Sequence, residues 1–298
     1  MSRALSWERE GRIWPHRETS EFVRSGGAHW HIQRMGDPAA PPLLLLHGTG
    51  GSVHSWRGPM PLLAGHYHVV APDLPRHAFT QGHLPDDLSL PRMASQVALL
   101  NETLGIEPAG IIGHSAGAAL ALQLALDHQF GGPIVGLNSA LRPFPGPAAQ
   151  IFPAVAKLLF VNPLVPRIFS GLAAFSGDTE RFLVRATGSH IDADGLACYE
   201  ALLTNPRHTK GALAMMANWD LPTLRTRMRE IANPVLMVHS DKDAAIPLDW
   251  AREAQGWLPN AELKAIEGFG HLAHEEAPDK VFALISDFLA AHAMARAG

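Results

Sequence analysis

The sequence predicts an α/β protein, a mostly parallel, doubly wound sheet that carries an inserted helical segment. Three observations lead there. Short, wholly apolar runs bounded by turn residues recur along the chain, as in strands buried on both faces. Helical patterns separate those runs, and strand–helix alternation implies parallel pairing through crossovers. From Leu141 to Leu221 the alternation stops, and Pro-rich turns with short helical patterns replace it.

Taken in order, His29–Gln33 alternates and reads as a short edge strand. Pro42 opens the run Leu43–His47, which ends in Gly48. His68–Ala71, Ile111–Gly113, Ile134–Leu137 and Val235–His239 are further buried-strand runs, and Leu263–Ile266 is a weaker one. Leu88–Leu104 has apolar residues at helical spacing, and Ser115–His128 is Ala- and Leu-rich almost all round, as in a helix buried against a sheet. Leu248–Trp257 and Ala277–Ala293 are amphipathic helices. Within the insertion, Asp192–Leu203 and Lys210–Ala217 read as helices. This divides the chain into a core of residues 1–140 and 222–298 and a cap of residues 141–221. The cap's apolar faces need something to cover, and open α/β sheets bind ligands at the carboxyl ends of their strands.

The chain has 298 residues, 47% hydrophobic and 17% charged, which suits a globular protein with a large core. Its net charge of -4 offers no basic excess for phosphates, so nucleic acid is excluded as a partner class. Cys198 is the single cysteine and cannot form an internal disulfide. The charged start MSRALSWEREGRIWPHRE does not read as a secretory signal. No apolar run reaches the roughly 20 residues of a membrane span; Pro147–Phe169 is broken by Pro153, Pro163 and Pro166. A cytoplasmic location is expected. Ile151–Phe169, with Lys157 and Arg167, also suits peripheral contact with lipid headgroups, beside the plainer reading of a cap packed on its own core.

The sharpest motif is Gly113-His114-Ser115-Ala116-Gly117, where a buried strand meets a buried helix. A tight strand-to-helix turn of this G-x-S-x-G form exposes the serine hydroxyl in a strained conformation, and glycine is needed two residues to either side. The helix N-terminus aims its free N–H groups at the reacting centre. A serine hydroxyl needs a base to become a useful nucleophile. His271, in Gly268-Phe269-Gly270-His271-Leu272 after the last strand, is the candidate. His274 is its rival and is expected to cap the following helix or meet solvent. His271-x-x-His274 lacks the third ligand that a metal reading requires.

The acid that orients the base comes from Ser240-Asp241-Lys242-Asp243-Ala244-Ala245-Ile246-Pro247. Asp243 is preferred because it stands deeper in the loop, and Asp241 is expected to shape the turn. An oxyanion hole needs two backbone donors, here the N–H groups of Ala116 and Thr49. Thr49 lies in His47-Gly48-Thr49-Gly50-Gly51-Ser52, which lacks the G-K-[ST] of a phosphate loop. His47, Gly48, His114 and Trp219 are candidates for the substrate surface, although His114 also suits packing beneath the turn. His54 and Trp56 suit either a pocket lining or a helix cap. Asp73 reads as structural. Met215, Met216 and Asn218 suit either core or substrate contact. The proposed chemistry calls for no metal or organic cofactor.

Together these residues resemble the α/β-hydrolase superfamily over nearly the whole chain. L-L-L-L-H-G, A-P-D-L-P, G-H-S-A-G, the Asp243 loop and G-F-G-H-L-A-H-E-E occur in order. The opening S-W-E-R-E-G-R, the loop H-G-T-G-G-S-V-H-S-W, N-P-L-V-P-R-I-F and M-M-A-N-W-D resemble a narrower branch. That branch is the magnesium-chelatase accessory proteins of bacteriochlorophyll biosynthesis in photosynthetic bacteria. The resemblance implies a role around magnesium insertion into protoporphyrin, with chelatase subunits or a porphyrin as partners, and magnesium belongs to that pathway without being a ligand of this chain. Two positions depart from the wider pattern. Arg76-His77-Ala78-Phe79 stands where such hydrolases usually carry Gly-His-Gly, which restricts the backbone there. Leu272 stands where carbon–carbon bond hydrolases tend to carry tryptophan. Serine at position 115, in place of aspartate, argues against haloalkane dehalogenase or epoxide hydrolase chemistry.

The expected function is therefore a serine-dependent hydrolase of an ester or similar acyl bond in a hydrophobic substrate. The rival is a non-catalytic porphyrin-binding or chelatase-assisting protein on a hydrolase scaffold.

Overall fold

The computed structural model describes residues 4–83, 87–142 and 178–293. The apolar runs form one sheet. Its strands are β1 (Ser20–Ser25), β2 (Ala28–Met35), β3 (Pro42–Leu46), β4 (His68–Pro72), β5 (Gln81–Gly82), β6 (Gly110–His114), β7 (Ile134–Leu137), β8 (Val235–Ser240) and β9 (Ala261–Ile266). Their order is β1-β2-β4-β3-β6-β7-β8-β9, with β5 paired to β2. From β4 through β9 along this path all pairs are parallel, whereas β1 and β2 add antiparallel strands at one side.

The sheet's inner parallel strands are mainly apolar because both faces are covered, and successive side chains point to opposite faces. On one face, Leu44, Leu46, Ile111, Ile134, Val235 and Met237 share a core with α2 (Leu90–Leu104), α3 (Ala116–Asp127) and α8 (Leu248–Gln255). On the other, Leu43, Leu45, Val69, Ile112, Val135 and Leu236 pack with α1 (Pro59–Ala64) and α10 (Pro278–Ala293). α3 is buried along Ala116–Leu124, which explains its lack of a polar face. α2 carries Pro91 in its first turn and stops at Gly105, whose φ of 65° supplies the left-handed C-cap.

The expectation of an edge strand at His29–Gln33 is corrected. β2 lies between β1 and β4, and the edge is β1. The alternation that suggested an edge comes from His31 and Gln33, which are buried but hydrogen-bonded, His31 to Asp73 and Gln33 to the Pro15 carbonyl. β9 occupies the opposite edge and is only partly buried, which accounts for its weak pattern.

Between β7 and β8 the described chain contains α4 (Thr179–Thr187), α5 (Ala193–Leu203), α6 (Pro206–Ala217) and α7 (Leu221–Arg227). Asp178, Asp192, Asn205 and Asp220 cap their N-termini through side-chain acceptors. A short helix, α9 (Ala273–Glu276), precedes α10. Ile151–Phe169, the segment considered for lipid contact, lies outside the described residues. No helix among the described residues is long and apolar enough to cross a membrane.

Candidate active site

The chain leaves β3 toward β4 on one side and later enters β6 on the other, so the strand order reverses between β3 and β6. The loops after these two strands bound the crevice where such sheets bind ligands. One is His47–Ser52, and the other is the turn at Ser115.

Ser115 has φ 53° and ψ -115°, a left-handed backbone that a side chain adopts only under constraint. The constraint is visible on both sides. The Ser115 N–H donates to the Leu137 carbonyl at 2.9 Å, and its own carbonyl accepts from Ala118 and Ala140 at 3.1 Å. A Cβ on Gly113 would strike the Gly117 carbonyl, and one on Gly117 would strike the Leu46 carbonyl. Both flanking glycines are thus required by close approach of the backbone.

His271 follows β9 and stands just before α9. Its Nδ1–H donates to Asp243 Oδ2 at 2.7 Å, which fixes the tautomer that leaves Nε2 as the basic nitrogen. The same oxygen accepts from Asn138 Nδ2 at 2.8 Å, and Oδ1 accepts from the backbone N–H groups of Ala245 and Ile246 at 2.8 Å. Burial pushes the Asp243 carboxyl up, but His271, Asn138 and the Ile246 N–H outweigh it and hold it below its ordinary value. A buried carboxylate with this many donors stays ionised and faces His271 as an anion. Asp241, its rival, accepts instead from the Gly268 N–H at 2.7 Å and ties the two loops together.

The loop after β3 is brought against the serine. A Cβ on Gly48 would lie 2.9 Å from His114 Nδ1 and 3.0 Å from Ser115 Cβ, so glycine permits the contact. Ala116 opens α3, and its N–H has no acceptor within the helix. Thr49 Oγ1 donates to Met215 Sδ on α6 at 3.5 Å. His208, also on α6, accepts from the Ala78 N–H at 3.0 Å and donates from Nε2 to the Gly50 carbonyl at 3.1 Å. Burial lowers its pKa to about 3, so it bridges the two loops as a neutral ring.

Two residues expected at the substrate are engaged elsewhere. The His47 ring is fully buried; it donates to the Gly48 carbonyl at 2.8 Å and accepts from the Leu74 N–H at 2.9 Å. It shapes the loop, and burial keeps it neutral. His114 donates from Nε2 to the His271 carbonyl at 3.0 Å, and their rings lie 4.7 Å apart. Burial, then the neighbouring His271, pushes the His114 pKa down to about 3. His114 therefore lies beneath the turn and fastens the strand carrying Ser115 to the loop carrying the base. Trp219 is partly buried against the core that includes Met215.

His274 neither caps nor meets solvent. It is 1% exposed and packs on Trp56 and His114, at centroid distances of 5.0 and 4.4 Å. His54 and Trp56 are buried in a short helix that Ser52 caps. Asp73 is buried and accepts from His31, Val53 N–H and Phe79 N–H, which organises the loops after β3 and β4. Among the described residues, no group of three or more His, Cys, Asp or Glu could hold a metal ion.

Asn138 was not anticipated from the sequence. It follows β7 directly with φ 46°, and Asn is among the few residues that tolerate that region. An Asn just past a buried strand, at the edge where ligands bind, is the signal that could have found it.

A twisted parallel sheet with a strained serine at its switch point and a His–Asp pair on later loops defines an α/β hydrolase. The chain belongs to the alpha/beta hydrolase family, which matches residues 43–284. It is 40% identical over 282 residues to the magnesium-chelatase 30 kDa subunit of Rhodobacter capsulatus, covering 93% of this chain and 96% of that protein. Among solved structures, the epoxide hydrolase CorEH superposes with a TM-score of 0.76 at 24% identity, covering 91% of this chain and 98% of that one. An alpha/beta hydrolase fold protein from Burkholderia ambifaria superposes with a TM-score of 0.74 at 22% identity, covering 96% and 100%. At these identities the two structures speak for the fold alone.

Proposed function

We propose that the protein is a serine-dependent hydrolase of an ester or similar acyl bond, with Ser115, His271 and Asp243 as its triad. The observation that carries this reading is the 2.7 Å bond from His271 Nδ1 to the buried Asp243 carboxylate, on a loop whose His271 carbonyl accepts from His114, the residue before the serine strained at φ 53°. His271 Nε2 removes the hydroxyl proton as Ser115 Oγ attacks the carbonyl carbon. The N–H groups of Thr49 and Ala116 hold the oxyanion as the carbonyl π bond opens. Collapse of the tetrahedral adduct expels the leaving group, which takes its proton from His271, and water then releases the acyl group by the reverse proton path. Asp243 holds the imidazole in place and stabilises its cation.

Residues 141–221 are read as a cap over a core of residues 1–140 and 222–298, and the cap's apolar character favours a hydrophobic substrate. The name of the Rhodobacter capsulatus relative supports a place at or beside a magnesium-chelatase step, and the motif resemblance sets that step in bacteriochlorophyll biosynthesis, with a cytoplasmic location as the sequence-based expectation. That same name favours a second reading, a non-catalytic partner of chelatase subunits or of a porphyrin.

Intact-mass labelling with a fluorophosphonate separates the two. A single adduct on the wild type, absent from Ser115→Ala and slowed in His271→Ala, is the expected result. A folded wild type that takes no adduct, with a Ser115→Ala variant that still supports pigment synthesis, would favour the accessory reading.

A further inference from the structure

The acid and the base stand on different loops, and neither loop is fastened only to the sheet. Both reach for one turn, the C-terminal end of α4. The Thr187 carbonyl, among the last of its helix, has no intrahelical donor left. It accepts from the His271 N–H at 2.8 Å and from the Ala244 N–H at 3.3 Å. One carbonyl oxygen therefore joins the backbone of the base to the residue after the acid. Ser189 is fully buried, and its Oγ accepts from the Leu272 N–H at 2.9 Å. Glu276 closes the far side, taking the His190 N–H on Oε1 and the Gly270 N–H on Oε2, both at 2.9 Å.

The sequence of the turn is suited to this seat. Gly188 has φ 73° and caps α4 with a bond to the Val184 carbonyl at 2.8 Å. A Cβ there would strike the Lys242 carbonyl in the acid loop, and a Cβ on Gly270 would strike Gly188 and Ser189. Backbone meets backbone across the turn with no room for a side chain. A second tie lies nearby: Arg57 pairs with buried Glu275 and with Asp192, while Tyr199 on α5 donates to Glu275 at 2.7 Å.

We propose that the Thr187–Gly188–Ser189 turn is a positioning latch for the acid–base pair, so that His271 is aligned only while this end of α4 is seated. The inserted helices then do more than shape a pocket. Lifting the end of α4 from these two loops withdraws acceptors from the His271 and Leu272 N–H groups and frees the base loop to turn away from Asp243. The catalytic consequence rests on the triad reading above, whereas the geometric one does not.

The test uses the full chain with Gly188→Val, Ser189→Ala and, as a control, Arg185→Ala on the exposed face of α4. Two quantities are read. The first is fluorophosphonate labelling, split into the limiting rate and the concentration for half-maximal rate. The second is the low-field proton resonance of the His271 Nδ1–H, assigned by its loss in Asp243→Asn. The expected result is a fall of about tenfold or more in limiting rate for Gly188→Val and a smaller fall for Ser189→Ala. The half-maximal concentration stays unchanged, and the resonance is broadened or lost in step. Arg185→Ala matches the wild type in both. If Gly188→Val proves unfolded, Ser189→Ala decides alone, since it removes one acceptor and adds no atom. A Ser189→Ala protein with wild-type rate and an unchanged resonance would overturn the latch. A wild type that resists labelling yet shows the resonance, with loss of that resonance in the variants, would sink the serine chemistry and leave the latch standing.

Discussion

At Asp243 one carboxylate serves His271, Asn138 and two backbone N–H groups, and that set decides its protonation. Its folded pKa is depressed, so its contribution to stability is present above the unfolded carboxylate value and is lost as pH falls through the lower folded value. The His271–Asp243 bond is accordingly expected to persist as pH falls for as long as the chain stays folded, and the low-field His271 signal follows it. Replacing the carboxylate by Asp243→Asn leaves the shape but offers His271 Nδ1 an amide, which permits the wrong tautomer. Acylation by a fluorophosphonate or an activated ester is expected to slow by about 10³–10⁴-fold. Labelling at the wild-type rate would exclude Asp243 as the acid. Gly117 offers a separate check on the turn. Gly117→Ala puts a Cβ against the Leu46 carbonyl, with an expected loss of about 1–3 kcal/mol or more in urea denaturation.

Individual elements matter here by what they bring to the crevice. α6 carries His208 and Met215 onto the loop that holds Thr49 and Gly50. The His208 ring satisfies the buried Ala78 N–H and the part-buried Gly50 carbonyl. In His208→Ala both lose their partner, at about 1–3 kcal/mol for each group that water cannot reach. The urea midpoint should drop accordingly and labelling should slow. His208→Gln, which can still donate and accept, should recover part of both. A midpoint unchanged in His208→Ala would show that the bridge carries no weight. The departure at Arg76-His77-Ala78-Phe79 gains a reason from the same contact. Arg76 and Ala78 adopt φ 63° and 41° without glycine, and the His208 bond to the Ala78 N–H helps hold that backbone. His77 packs between the His47 and His208 rings, 5.3 Å from each.

Across the whole molecule, buried histidines set the response to acid. His47, His54, His77, His114, His208, His239 and His274 are all held below their ordinary pKa, burial being the main cause in each. A histidine depressed in the folded state contributes stability in full above its unfolded value near 6.5 and loses it as pH falls. The unfolded chain takes up a proton that the folded chain refuses. Each fully titrating ring removes up to about 1.4 kcal/mol per pH unit below that value. The melting temperature should therefore fall steeply between about pH 6.5 and 5, with uptake of several protons on unfolding. A flat profile over that range would mean that these rings titrate alike in both states.

The order of the apolar runs, the G-x-S-x-G turn and the loops after the last two strands are local features, written in residue type and spacing. They were enough to read the parallel sheet and to name Ser115, Asp243, His271, Thr49 and Ala116 as the candidate site. The tertiary structure decided what spacing does not encode. His31 and Gln33 look like the polar half of an exposed strand, yet both are buried because Asp73 and the Pro15 carbonyl satisfy them. His274 looks like a capping or solvated residue, yet it lies in the core. Asn138, Thr187 and His208 reach the site from elements far apart in the chain, through hydrogen bonds whose partners no local pattern reveals. Periodicity reports which face of an element is apolar. Which buried polar group meets which depends on how the elements are brought together, and only the folded chain determines that.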